Sequence, residues 1–289
     1  MVMPLFRPAF VFPLVLPLAA CAQSETPRNM SPTQTNEQGC TRQRSIGPQD
    51  PYANSAPLKQ ACVGPYLLEL PQNYYSTQMG PQHDGSFRLA LEYPSLQPFK
   101  PGERMNLSAD VSVRTVSVSY AYIDRIDVRR ALRNLYTPLD YERDDPSASL
   151  EGRIKGGIIH GLEPYYVDMG RVRAYYQAKG YRADAPVMKP VPWHADWFVS
   201  RDASGAIDQI IKCTPREVAE SGVEYRDGKM VKKHVLGFAE CTQDFMIEDM
   251  STLVGVRYPR EGMQHWKQIA ERARTVFVEH VRDTRRAKP

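Results

Sequence analysis

Trp197-Phe198-Val199-Ser200-Arg201-Asp202-Ala203-Ser204-Gly205-Ala206-Ile207-Asp208-Gln209-Ile210-Ile211-Lys212-Cys213 is the stretch that decides the fold. Trp197-Phe198-Val199 and Ile207 to Cys213 are rich in aromatic and β-branched residues, and Arg201 to Gly205 between them is turn chemistry, so the stretch reads as an antiparallel hairpin. A second unit of the same kind follows: Phe245-Met246-Ile247, then Leu253-Val254-Gly255-Val256-Arg257-Tyr258, which Pro259 closes. The chain then changes period. Met263, Trp266, Ile269, Ala270, Ala273, Phe277 and Val281 recur at three- and four-residue spacing, leaving Lys267, Glu271, Arg272 and Arg274 for water. This predicts a helix over Gly262–Arg282 packed on a sheet, and hence an α+β fold.

Toward the amino end the strand pattern recurs. Pro65-Tyr66-Leu67-Leu68-Glu69-Leu70-Pro71 reads as a strand between prolines, and Ser86 to Tyr93 as another, ended by Pro94. From Asp110 to Asp124 the alternation through Val111, Val113 and Thr115 shifts phase at Val116, Val118, Tyr120 and Tyr122, which predicts one long strand with a bulge. Ile126 to Tyr136 reads as a short basic helix, and residues 137–192 as loops and short strands. The spacing of Cys62, Tyr66 and Leu68 echoes that of Cys241, Phe245 and Ile247. Leu89, Leu91, Tyr93 and Pro94 likewise echo Val254, Val256, Tyr258 and Pro259. The echo reads either as two related halves or as convergence on generic strand-and-turn composition; antiparallel strands in two β-rich halves are expected, over 61–165 and 166–289, the second carrying the helix.

Ahead of them, residues 21–60 are rich in Ser, Thr, Pro, Gln and Asn without apolar periodicity, the composition of a flexible tether. The first twenty residues carry one cation, Arg7, and an apolar run from Ala9 to Ala20, too short to span a bilayer. Leu18-Ala19-Ala20-Cys21 resembles a lipobox. On that reading residues 1–20 are a lipoprotein signal peptide and Cys21 takes the lipid. Each buried CH₂ adds about 0.8 kcal/mol, and several acyl chains make a lasting anchor. Ala22 is not the Asp that favours inner-membrane retention in enteric bacteria, so the expected address is the periplasmic face of the outer membrane.

In that oxidising compartment the remaining cysteines, Cys40, Cys62, Cys213 and Cys241, are expected to form two disulfides. Three connectivities are open, and sequence proximity favours Cys40–Cys62 and Cys213–Cys241. No Cys-x-x-Cys and no pair of histidines at ligand spacing occurs, so no metal is expected. The formal charge of +4 over 289 residues falls to +3 when Arg7 leaves with the signal, and both signs are interspersed, which argues against a nucleic-acid partner.

No metalloprotease, nucleophile-elbow, phosphate-loop or dithiol motif is present, and no cofactor is expected. His194-Ala195-Asp196 would place an imidazole and a carboxylate on one strand face, as a periplasmic enzyme would need, or they are charges beside Trp193 and Trp197. His160 with Glu163 has the types for a metal or proton transfer, but Gly161 marks a turn. Gly152-Arg153-Ile154-Lys155-Gly156-Gly157 reads either as an anion concavity or as a solvated loop. Tyr74, Tyr75, Tyr120, Tyr122, Tyr165, Tyr166, Tyr175 and Tyr176 suit a protein interface, and equally a core with hydroxyls at its rim.

Cys62-Val63-Gly64-Pro65-Tyr66-Leu67-Leu68-Glu69-Leu70-Pro71 resembles the start of the folded region in immunity proteins that neutralise type VI secretion lipase effectors, with Pro65 where an arginine is usual. The resemblance implies a non-catalytic partner of a secreted lipase effector, held at the membrane by its lipid. A periplasmic enzyme with a His/carboxylate site and a structural envelope lipoprotein are the rival readings. Contact residues are not legible.

Overall fold

The structure, a computed structural model, describes residues 31–106, 108–189 and 194–282. Cys21 and Trp193 lie outside them. From the amino end, β1 (Thr33–Thr35) pairs antiparallel with β2 (Thr41–Gln43), and β3 (Leu58–Val63) forms a hairpin with β4 (Tyr66–Pro71). Next come β5 (Leu89–Glu92), β6 (Gln97–Pro98), α1 (Ala109–Val113), β7 (Thr115–Tyr122) and α2 (Val128–Arg133). The chain continues through β8 (Ile154–Lys155), β9 (Glu163–Tyr166), α3 (Met169–Ala178), β10 (Asp196–Arg201) and β11 (Ile207–Cys213). A small ribbon of β12 (Val223–Arg226) and β13 (Lys229–Lys232) precedes β14 (Glu240–Ile247), β15 (Thr252–Pro259), α4 (Trp266–His280) and β16 (Val281–Arg282).

The two hairpins anticipated in the sequence form the middle of a nine-stranded sheet ordered β6-β5-β7-β15-β14-β11-β10-β9-β8, antiparallel throughout. Its inner face presents Val116, Val118, Phe245, Val254 and Val256. The apolar stripe of α4 (Ile269, Ala270, Ala273, Val276 and Phe277) buries itself there. Tyr120 fixes the crossing by donating its hydroxyl to Ala273 O at 2.8 Å. The expected α+β class, with antiparallel strands and a carboxyl-terminal helix packed on a sheet, is what the chain adopts. On the other face α2 lays Val128 and Leu132 over Trp197, Val199, Ile210 and Met246, covering one end of the sheet only. Both disulfides have the pairing that proximity favoured, Cys40–Cys62 and Cys213–Cys241.

Several local expectations give way. Residues 109–113 are helical, not strand: the Ser108 hydroxyl caps the turn by accepting from Val111 N, and Val111 and Val113 are buried from a helix, an alternation that imitates a strand. The phase shift at Val116 is therefore a helix-to-strand boundary at Arg114 and not a bulge. Within 137–192 the helix α3 was invisible because it buries only Val172 and so has no apolar stripe; Asp168 caps it.

The expected tether is ordered from Thr33 on. Asn36 bridges Cys40 N and Gly64 O, and buried Arg42 donates to Gln34 Oε1 and Gln82 O, so polar bonds and the Cys40–Cys62 disulfide hold the segment. The central sheet also draws strands from both sides of the 165/166 boundary, β9 spanning it. The internal echo is not a structural repeat. Cys62 and Tyr66 flank the β3–β4 turn, whereas Cys241 and Phe245 share one strand. In that turn Gly64 sits at φ +53° with the Tyr122 ring filling the space of a side chain, its Cγ 2.1 Å from where a Cβ would be.

Candidate functional site

Because side chains alternate along a strand, the residues between the core positions of β7, β14 and β15 face away from α4. Beyond the end covered by α2 these are polar or small. Lys212, Thr242, Arg257 and Ser117 form one cross-strand row, and Asp244, Gly255 and Ser119 the next. Ser119 Oγ donates to Gly255 O at 3.1 Å and, with Asp244 Oδ1, crowds the place a Gly255 side chain would take. The result is an open polar face in the centre of the sheet.

Two cavities extend it. The first, about 400 Å³, lies beside β7, β15 and α1, lined by Arg88, Arg104 and Arg257 with the hydroxyl-bearing Ser76, Ser112, Thr115 and Ser117, and by Phe238 and Glu240. The second, about 590 Å³, shares Phe238 and Glu240 and runs on past Leu236, Val218 and Lys212. The residues after β13 therefore stand between the two cavities, and there Leu236 is fully exposed.

Charges in this region fall into two kinds. Arg114 is buried and matched, donating to Glu92 Oε1 at 2.8 Å and Glu103 Oε1 at 2.7 Å. Arg104 is half-buried over the Phe99 ring and has no carboxylate partner among the described residues. Its Nη1 donates to Thr115 Oγ1 at 2.8 Å, its Nε is buried without an acceptor, and burial lowers its pKa. Arg88 makes no ion pair among the described residues, and Arg257 Nε stands 3.8 Å from Glu240 Oε2. Lys212 points its Nζ to Leu135 O and over the Trp197 ring, and desolvation lowers its pKa. Burial pushes Asp244 up to about 6, with Lys212 pulling the other way.

The residues singled out in the sequence are largely used by the fold. His194 is buried with Nε2 2.9 Å from Val187 O, while Asp196 accepts Arg216 N at 2.7 Å and is pushed up by burial. No hydrogen bond joins the two among the described residues. His160 occupies a turn at φ +51°, its carbonyl accepting from Trp266 Nε1, and Glu163 accepts from Lys155, Arg201 and Tyr165. Arg153 is a buried prop, not an anion receptor: it donates to Ala195 O and Ser147 O and stacks 3.8 Å over Trp197. Tyr75 and Tyr120 donate their hydroxyls to backbone carbonyls, and Tyr122 packs edge-on against Tyr66, so these tyrosines fill the core. Among the described residues no group of three His, Cys, Asp or Glu side chains is placed to hold a metal ion.

The arginine cleft was not found from sequence, since its cations arrive from three separate segments. One signal was present: Arg257 occupies an outward position of a strand whose alternation is plain.

No family model matches the chain, and no curated protein matches it. Among solved structures it is similar to Smlt3025, an immunity protein of the Stenotrophomonas maltophilia type IV secretion system. The TM-score is 0.69 at 26% sequence identity, over 87% of this chain and 99% of that one. The resemblance to immunity proteins read from Cys62–Pro71 thus extends along most of the chain, and the secretion system named for this neighbour is type IV, where the short motif pointed to type VI.

Proposed function

We propose that the protein is a non-catalytic immunity protein that binds a secreted effector and neutralises it. The observation that carries this reading is the likeness, at 26% identity, to an immunity protein matched over 99% of its length. The architecture supports it. A rigid antiparallel frame closed by two disulfides limits the ordering cost of binding, and the open polar sheet face beside an exposed apolar loop offers a docking surface. The residues on which an enzymatic reading rested, His194 and Asp196, are tied to backbone groups.

The finer reading follows from the sequence. The effector is a lipase that reaches the envelope, and the immunity protein waits there on a lipid at Cys21, at the periplasmic face of the outer membrane. Anchoring concentrates the inhibitor beside the membrane that the lipase attacks, which raises occupancy without new contacts. The experiment is co-expression of this chain with each secreted lipase of its source organism in turn. Protection from lysis and a tight one-to-one complex are expected. Cells that die equally with and without the chain refute the immunity reading. A Cys21→Ala variant that stays in the membrane fraction refutes the anchor alone.

A further inference from the structure

We infer that the arginine-lined cleft is the receptacle for an acidic segment of the effector, which enters beside the Leu236–Phe238 ridge. This rests on the immunity reading and gives it a contact surface. Three guanidinium groups, of Arg88, Arg104 and Arg257, surround the cavity against one carboxylate, Glu240. The fold pairs buried Arg114 with two glutamates but leaves half-buried Arg104 with a single neutral acceptor and an orphaned Nε. A desolvated cation lacking its counter-charge is costly, and an incoming carboxylate removes that cost.

The shape and the rim favour a protein segment. A space of about 400 Å³ admits one or two side chains, and Glu240, paired with Arg257, already meets part of its positive charge, which suits a single carboxylate better than a phosphate ester. Leu236 is fully exposed, and Phe238 lines both cavities. Apolar side chains beside Arg88 and Arg104, which have no carboxylate partner among the described residues, suit an acidic loop with a flanking apolar residue, which would seat its carboxylate in the first cavity and its apolar neighbour along the second.

The test uses the full-length protein and the secreted lipase from which it protects cells in the co-expression experiment. Arg88→Glu with Arg257→Glu changes two exposed cationic side chains; Arg143→Glu with Arg182→Glu applies the same charge change at two other exposed arginines. The cleft pair is expected to weaken the complex by about a hundredfold or more and to abolish protection, with an unchanged melting temperature, while the matched pair shifts affinity less than about threefold. An acid-to-arginine change on the toxin that restores binding to the cleft variant completes the case. No complex with the wild-type chain overturns the immunity reading and takes this assignment with it. A wild-type complex that the cleft variant retains at full strength overturns the assignment alone. So does a variant that loses binding to phosphatidylglycerol vesicles while keeping the toxin, since the cleft would then be a lipid headgroup site.

Discussion

Replacing Asp244 by Asn should stabilise the protein near neutral pH and do nothing in acid. Asp244 lies in the middle of β14 on the open sheet face, and its carboxylate has neither an ion pair nor a hydrogen bond among the described residues. Lys212, the nearest compensating cation, spends its ammonium on Leu135 O and the Trp197 ring. Burial therefore dominates and raises the carboxyl from 3.8 to about 6. Between those values the folded state holds a proton that the unfolded chain releases, so this group's contribution is fully present below 3.8 and is lost as pH rises through 6. At about 1.4 kcal/mol per tenfold change in proton affinity, the loss at pH 8 is about 3 kcal/mol. Asn is isosteric and uncharged. Urea denaturation of both proteins at about pH 4 and about pH 8 should show a gain of that order at the higher pH only, with the denaturant slope unchanged. An equal difference at the two pH values, or a loss at pH 8, would refute the reasoning by showing that the ionised carboxylate is held by a bond.

The two further expectations concern the frame. Converting both Cys213 and Cys241 to Ser opens a loop with a sequence separation of 28 and should cost about 3.5 kcal/mol in denaturant unfolding, whereas no loss would mean that the β11–β14 pairing alone closes the chain. Phe277→Ala should cost about 3–5 kcal/mol, and Val278→Ala, on the 52% exposed side of the same helix, less than about 0.5 kcal/mol; equal losses would contradict the packing of α4.

What was legible in the sequence was local. The β10–β11 and β14–β15 hairpins and α4 announce themselves because each repeats its apolar pattern over enough residues to fix a face. The disulfides followed from proximity along the chain. α1 was misread because five residues are too few to tell period 3.6 from period 2, and α3 escaped because one buried valine makes no stripe. The ordering of residues 33–43 depends on Asn36, Arg42 and a disulfide, none of which leaves a periodic trace. The cleft joins Arg88, just before β5, Arg104, in the turn before α1, and Arg257 on β15, and nothing short of the sheet order β5-β7-β15 shows that β5 and β15 lie on either side of β7.

The last described strand, β16, returns to an early one. Val281 pairs with Leu68, and Arg282 bonds Glu69 at 3.0 Å. Ribosomes deliver the chain from its other end, so α4 and β16, which cover the apolar side of the great sheet and the free edge of β4, are made after every other described element. Until residues 266–282 emerge the nascent polypeptide has no closed interior. A chain stopped short of α4 therefore leaves the apolar side of the sheet uncovered.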